Sequence, residues 1–167
     1  MFRESVIKDT VEHITSIDTQ RTDEVVFTLG YEGRSLEDYL NRLVKNNVQI
    51  LFDVRKNAIS RKYGFSKSRL EKSVNDLNIQ YIHLPELGID SSQRKSLNTQ
   101  DDYDALFANY GNIILPNHLD SIEKIYRLIK INKRIALTCF EAMPYQCHRS
   151  VIAKTLSTNY GFQIEHI

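Results

Sequence analysis

Two thiols and an imidazole lie close together near the carboxyl end of the chain. Cys139 shortly precedes Glu141, and Cys147 directly precedes His148. A cysteine is a nucleophile in its thiolate form, and a neighbouring carboxylate or imidazole can transfer the proton that such a reaction needs. We therefore predict a catalytic group in which Cys139 or Cys147 is a nucleophile or a redox-sensitive thiol, with Glu141 and His148 as acid–base groups.

A structural role for the same residues stays open. Cys147 would also fit a buried apolar position, and His148 would also fit a hydrogen-bonded helix cap. A zinc site built from Cys139, Cys147 and His148, with His83 as a further candidate, is conceivable, but the sequence lacks the paired ligand spacing typical of such sites. The sequence gives no reason to expect a metal ion or another cofactor.

A basic segment, residues 55–72, is the second group of residues that could do chemistry. Its positive charges are opposed by Glu71 alone and are interleaved with Tyr63 and Phe65. Positive charge beside exposed aromatic rings suits phosphate contact and base stacking, so we expect Arg61 and Lys67 to bind anions. An ordinary solvated helix face, with both rings turned inward, fits the pattern equally well.

The elements that must position these residues follow from the hydrophobic pattern. Short apolar runs predict strands at 25–29, 50–54, 79–84, 135–139 and 162–164. Between them, amphipathic helices are predicted after Ser35 and Ser66, at 103–110 with an end at Gly111, at 119–129 and at 149–156, and 88–102 is predicted to be a long loop. The alternation predicts a three-layer α/β fold, a mainly parallel five-stranded sheet with helices on both faces. We expect one domain over 25–167, preceded by an extension, 1–24, with a weak helical pattern.

Side chains suited to binding or catalysis follow four of the predicted strands. In open parallel sheets, ligands bind at the carboxyl ends of the strands, where loops and helix N-termini converge. We expect Arg34, Arg55, Arg61 and Lys67 to hold anionic oxygens, and Asp53 or Glu141 to be the general base. The complete predicted substrate-binding set is Tyr31, Glu32, Arg34, Arg55, Arg61, Lys67, Glu86 and Arg149.

Composition limits the class of protein. The 167 residues carry 22 Lys+Arg against 21 Asp+Glu, a formal charge of +1, so no global field draws the chain to nucleic acid or membrane. Two cysteines, no signal-like opening and no apolar run of membrane length predict a cytoplasmic protein with no membrane partner and no structural disulfide. A homodimer stays open.

Several blocks together resemble the family called domain of unknown function 488. They are residues 30–34, 53–55, 60–61 with 64–67, 81–88, and 139–141 with 147–149, in the family's order. The resemblance covers about residues 26–156 and implies a compact α/β domain with these blocks around one cleft. Ala58 and Ile89 depart from the family's usual proline and glycine.

Three functions fit these patterns. The first is an enzyme that acts on a phosphate-bearing substrate, a nucleotide or nucleic acid, in the cleft at the carboxyl ends of the strands. The second is a non-enzymatic module that binds nucleic acid through the basic segment while the cysteines only pack. The third is a sensor of a small anion or metabolite.

Overall fold

Five parallel strands form one sheet in the order β3-β2-β4-β1-β5. The computed structural model describes residues 23–167, so the predicted helical extension lies outside the described residues apart from Asp23 and Glu24. The strands are β1 (Val25–Gly30), β2 (Ile50–Asp53), β3 (Gln80–His83), β4 (Arg134–Cys139) and β5 (Gln163–His166). The prediction of a mainly parallel five-stranded sheet is confirmed.

The central strands are buried on both faces. Every residue of β1, β2 and β4 is buried, as expected for strands covered by helices on two sides. In the register of the sheet, Gly30 lies opposite Cys139 and Asp53 lies opposite Thr138. The carboxyl ends of β1, β2 and β4 therefore meet at one edge, which we call the carboxyl edge.

Two helices cover one face of the sheet. Helix α1 (Leu36–Lys45) begins at Ser35, whose Oγ accepts a hydrogen bond from the Asp38 amide at 3.1 Å. Helix α2 (Lys67–Asn75) begins after Ser66. Both helices start where the sequence predicts, and they pack on the strands through the buried residues Tyr39, Leu43, Leu70 and Val74.

The opposite face carries α3 (Gln100–Asn109), α4 (Leu119–Asn132) and α5 (Arg149–Tyr160). The main core residues from these helices are Ile122, Ile125, Ile129, Ile152 and Leu156. Helices therefore lie on both faces, as predicted. Within residues 23–167, none of the helices combines the length and the apolarity needed to cross a membrane.

The chain between β3 and α4 differs from the sequence-based expectation. Helix α3 begins at Gln100, inside the predicted loop, because Thr99 and Asp102 form a reciprocal capping box. Gly111 does not end the helical segment, since a π-helical turn, Tyr110–Ile114, runs through it. Tyr110 is fully buried and its hydroxyl donates to the Leu87 carbonyl at 2.7 Å. That anchor holds the helical path at Tyr110.

Candidate active site at the carboxyl edge

The two sides of the sheet carry different polar clusters at the carboxyl edge. Successive side chains of a strand point to opposite faces. Thr138 accepts a hydrogen bond from the Tyr39 hydroxyl at 2.7 Å on the α1 side. Cys139 lies on the other side, in the core that includes α5. We call Tyr31, Asp53, Arg55 and Tyr81 the acid–arginine cluster, and Cys139, Cys147 and His148 the thiol–imidazole cluster.

The acid–arginine cluster is a buried ion pair with two phenols. Arg55 Nε donates to Asp53 Oδ1 at 2.8 Å, and the Tyr81 hydroxyl donates to Asp53 Oδ2 at 2.6 Å. Arg55 Nη1 donates to the Tyr31 hydroxyl at 3.0 Å and to the Phe65 carbonyl at 2.8 Å. Burial by itself would lower the pKa of Arg55, but the hydrogen bonds and charge of Asp53 raise it above its usual value. Arg55 and Asp53 thus satisfy each other inside the protein.

Tyr81 is the second side chain that contacts the Asp53 carboxylate. Burial raises the pKa of its hydroxyl, and the neighbouring Asp53 carboxylate raises it further. Tyr81 therefore stays a neutral donor to Asp53. The roles of Asp53 as a general base and of Arg55 as an anion ligand stay predictions. The hydrogen bonds of both side chains described above go to other groups of the protein.

The thiol–imidazole cluster gathers its three side chains around one ring nitrogen. Cys139 Sγ and Cys147 Sγ each lie 3.9 Å from His148 Nδ1, and all three residues are buried. His148 Nε2 lies 2.8 Å from the Val54 carbonyl oxygen, which can only accept, so Nε2 carries the proton. Nδ1 therefore presents its lone pair, and Arg94 Nη2 donates to it at 2.8 Å.

The two thiols differ in acidity. A hydrogen bond from Cys147 lowers the pKa of Cys139, against burial, and the charges of Arg94 and Arg149 act in the same direction. Burial raises the pKa of Cys147, and its hydrogen bond to Cys139 raises it further. The pair therefore loses its first proton from Cys139. The sequence left the choice between the two cysteines open.

Arg94 joins this cluster to Glu141. Its guanidinium forms an ion pair with Glu141 Oε1 as well as the hydrogen bond to His148. Glu141 Oε2 is buried, and no hydrogen-bond partner for it exists within residues 23–167. Arg94 lies in the 3-10 turn Ser91–Arg94, inside the predicted loop. Sequence reasoning missed it because nothing in the local pattern separates it from the other polar residues of that loop.

Arg149 shapes the loop between β4 and α5. It is buried, and it donates to the Glu141 carbonyl at 2.6 Å and to the Ala142 carbonyl at 3.1 Å. Gly30 lies so close to the Glu141 backbone that a Cβ atom there would collide with it. These contacts fix the direction in which the chain leaves Cys139.

The remaining predicted residues lie around the edge with different neighbours. Glu32 accepts from the Ala142 amide at 2.9 Å, Arg34 donates to the Gly30 carbonyl at 3.0 Å and to Asp38 at 3.1 Å, and Glu86 accepts from the Ser121 hydroxyl. Arg61 and Lys67 are exposed. Among the predicted cations, these two are the ones that face solvent most openly.

The two aromatic rings of the basic segment differ in their exposure to solvent. Phe65 is buried and stacks on Tyr31 with ring centroids 4.5 Å apart, whereas Tyr63 is 77% exposed and lies under the Arg69 guanidinium. Phe140 is 45% exposed and contacts Tyr31 edge-on. We call the exposed residues Arg61, Tyr63, Lys67 and Phe140 the basic–aromatic rim.

A family model described as Domain of unknown function DUF488 matches residues 35–156. The chain belongs to this family. The resemblance inferred from the sequence blocks is thus confirmed. The part that matches the DUF488 family contains the thiol–imidazole cluster, Arg94 and all four rim residues, and it begins after Tyr31 and Arg34. No curated protein and no solved structure gives a match to the chain.

Proposed function

We propose that this DUF488 protein is an enzyme that acts on a phosphate-bearing substrate, a nucleotide or nucleic acid, at the carboxyl edge of its sheet. The observation that carries the proposal is the junction at the end of β4, where the exposed ring of Phe140 directly follows buried Cys139. A surface suited to substrate thus adjoins a group of reactive side chains.

The basic–aromatic rim is the substrate-binding part of this proposal. Arg61 and Lys67 supply exposed positive charge, and Tyr63 and Phe140 supply exposed rings on which a base can stack. Arg34, Arg55 and Arg149 donate to carbonyl or carboxylate groups of the protein itself. Anion binding therefore falls mainly to Arg61 and Lys67.

The thiol–imidazole cluster is the reactive part. His148 Nδ1 is unprotonated, and its lone pair lies near both thiols. Arg94 connects it to Glu141, because the guanidinium bonds to both side chains. Lone-pair donors of this kind can take up protons or bind an electrophilic centre. Because Arg94 covers His148 Nδ1, substrate phosphate would compete for the Arg94 guanidinium and uncover the cluster.

Binding is tested by fluorescence anisotropy with a labelled single-stranded oligonucleotide over a range of salt concentrations. In the double variant Arg61→Gln/Lys67→Gln, we expect weaker binding and a log–log salt slope that is shallower by about 1.4, two lost phosphate contacts on a single strand. The control Lys45→Gln/Lys154→Gln removes the same charge from exposed positions away from the rim. Equal losses in the two double variants would contradict the assignment of the rim.

A non-enzymatic nucleic-acid-binding module is the second candidate. It is favoured by the burial of the cluster, since Cys139 is 4% exposed and Cys147 is 0% exposed. Salt-dependent binding without turnover of oligonucleotides or nucleotides would support this candidate against the enzyme. A small anion or metabolite that raises the melting temperature without turnover would instead support a sensor.

We also propose that the protein is located in the cytoplasm. Both cysteines of the chain are free thiols although their sulfur atoms lie near the same imidazole nitrogen. Free thiols are typical of reducing compartments. The choice between a monomer and a homodimer stays open.

A further inference from the structure

We propose that the thiol–imidazole cluster binds a thiophilic divalent metal ion, with zinc as the best fit. The ligand atoms are Cys139 Sγ, Cys147 Sγ and His148 Nδ1, and all three lie within 4.8 Å of one another. Two sulfurs and one imidazole nitrogen form a donor set that zinc prefers.

The distances suit a tetrahedral site. With Zn–S near 2.3 Å and Zn–N near 2.0 Å, a sulfur and a nitrogen on one zinc ion are about 3.5 Å apart. Each Sγ in the cluster is 3.9 Å from His148 Nδ1. Each Sγ–Nδ1 distance would need to shorten by only a few tenths of an ångström, which a small rotation about the cysteine χ1 bond can supply, and the two sulfurs already lie within 4.8 Å of each other.

The hydrogen bond at the far side of the ring prepares His148 as a ligand. Its Nε2–H donates to the Val54 carbonyl at 2.8 Å, which turns the ring and leaves the lone pair of Nδ1 toward the two sulfurs. Metal-binding histidines commonly donate their second ring N–H to a carbonyl or carboxylate in this way. Tyr110 packs against the ring at 5.5 Å and holds its orientation.

Charge balance also favours a metal at this place. Two thiolates and a neutral imidazole neutralise a divalent cation, so the complete site carries no net charge inside the core. Cys139, Cys147 and His148 are all at most 4% exposed. Burying the neutral loaded site therefore costs less than burying two free thiolates.

Arg94 controls access to the cluster. Its Nη2 occupies the lone pair of His148 Nδ1 that the metal would use, and its positive charge opposes a cation there. On metal binding, Arg94 would leave His148 and keep its ion pair with Glu141. Three protein ligands leave a fourth position for water or a phosphate oxygen, the arrangement of catalytic zinc sites. This last role rests on the proposed function, whereas metal binding does not.

The test uses the full-length protein, freed of metal by a chelator and then titrated with Co²⁺. We expect one ion per chain, with the sulfur-to-cobalt charge-transfer band and the intense visible bands of a tetrahedral site. Elemental analysis of protein purified without chelator should find zinc at the same ratio. Cys139→Ser, Cys147→Ser and His148→Gln should each weaken metal binding more than tenfold. The control His83→Gln, whose imidazole bonds to the Arg55 carbonyl at the same edge, should bind metal as the wild type does.

Arg94→Gln provides a readout that does not depend on the stability of the ligand variants. It removes the competing donor and the positive charge, so the affinity for Co²⁺ should rise. An unchanged or lower affinity would overturn the assignment, as would wild-type protein that gives no charge-transfer band. Turnover of a phosphate-bearing substrate by metal-free protein would contradict the catalytic role of the metal alone. Metal binding without any turnover would contradict the proposed function alone.

Discussion

Asp53 is the residue on which the α1 side of the carboxyl edge depends. Its carboxylate accepts from Arg55 and from Tyr81, and it is fully buried. Replacing it with a neutral amide would leave the buried guanidinium without its counter-charge.

We predict that Asp53→Asn lowers the free energy of unfolding by about 3–5 kcal/mol, the range for breaking a buried ion pair. Tyr81→Phe removes one hydrogen bond to the same carboxylate and should cost about 1.5–3 kcal/mol. Urea denaturation of both variants measures the difference. A smaller cost for Asp53→Asn than for Tyr81→Phe would contradict the structural role of the pair.

Gly30 sets how closely β1 approaches the loop after β4. A methyl group at Gly30 would collide with the Glu141 carbonyl, which is backbone and cannot turn aside. We predict that Gly30→Ala costs about 3 kcal/mol, at the upper end of the range for overpacking. Gly111→Ala is the matched control, since its methyl would meet only the Val151 side chain at 3.3 Å. Thermal unfolding should separate the two variants clearly.

At the residue scale, the sequence identified which residue types meet but not which bonds they make. The blocks at 53–55 and 139–149 are at the predicted edge, because the hydrophobic pattern of β2 and β4 fixes where each strand ends. The sequence did not predict that Arg55 and Arg149 are buried and bond to backbone carbonyls. Arg55 donates to the carbonyl of Phe65, and Arg149 donates to those of Glu141 and Ala142, so these bonds depend on the paths of two loops. Arg94 reaches His148 across a sequence separation of 54 residues, and no local pattern reports such a contact.

Among the elements, β5 is the outer strand beside β1, and a histidine helps to hold it there. His166 Nδ1 lies 2.6 Å from the Thr28 hydroxyl oxygen. Burial lowers the pKa of His166 below its ordinary value of 6.5, and the charge of Arg149 acts in the same direction. The folded protein therefore favours the neutral form of the His166 imidazole.

We predict that His166 makes stability fall as the pH is lowered. With the folded pKa below the unfolded value, its contribution is complete above the unfolded pKa and is lost as the pH falls through the folded pKa. The free energy of unfolding, measured between about pH 7.5 and 5.5, should fall more steeply for wild type than for His166→Asn. Equal slopes in this range would show that His166 does not couple to folding.

Helix starts were easier to predict than the connection that carries Arg94. Ser35 and Ser66 both precede their helices as predicted, because the signal is local, although only the Ser35 side chain accepts a capping hydrogen bond whereas the Ser66 hydroxyl donates to the Ser60 carbonyl. The π-helical turn through Gly111 was missed, and the contact that anchors its first residue, the bond from Tyr110 to Leu87, joins distant parts of the chain. Element existence follows from periodicity, whereas an irregular connection follows from tertiary contacts.

For the whole molecule, the parallel sheet brings two clusters to one edge while keeping them on opposite faces. In the acid–arginine cluster, Arg55 donates to the Tyr31 hydroxyl and to the Phe65 carbonyl on the α1 side. The thiol–imidazole cluster lies under α5 on the other. The Val54 carbonyl, on the chain just after β2, orients His148 from the same edge. Val54 lies between Asp53 and Arg55 in the chain, so the ion pair on the α1 side also holds in place the carbonyl that orients His148 on the other side.

A metal in the thiol–imidazole cluster should stabilise the whole fold. An ion present at about 100 times its dissociation constant adds ~2.7 kcal/mol to the folded state. For a domain of this size that shifts the melting temperature by roughly 5–10 °C. We predict a fall of this size when a chelator is added to zinc-loaded wild type and no fall for Cys139→Ser. A chelator effect of equal size in both proteins would place the metal elsewhere.

The most direct test of the proposed function is product analysis after incubation with single-stranded oligonucleotides and nucleotides. Wild type and His148→Gln are compared at equal substrate occupancy, which is set beforehand by the anisotropy titration. We predict that wild type converts a phosphate-bearing substrate and that His148→Gln binds it with unchanged affinity but forms no product. Product from both proteins at the same rate, or binding by wild type with no product from any of these substrates, would contradict an enzyme centred on the thiol–imidazole cluster.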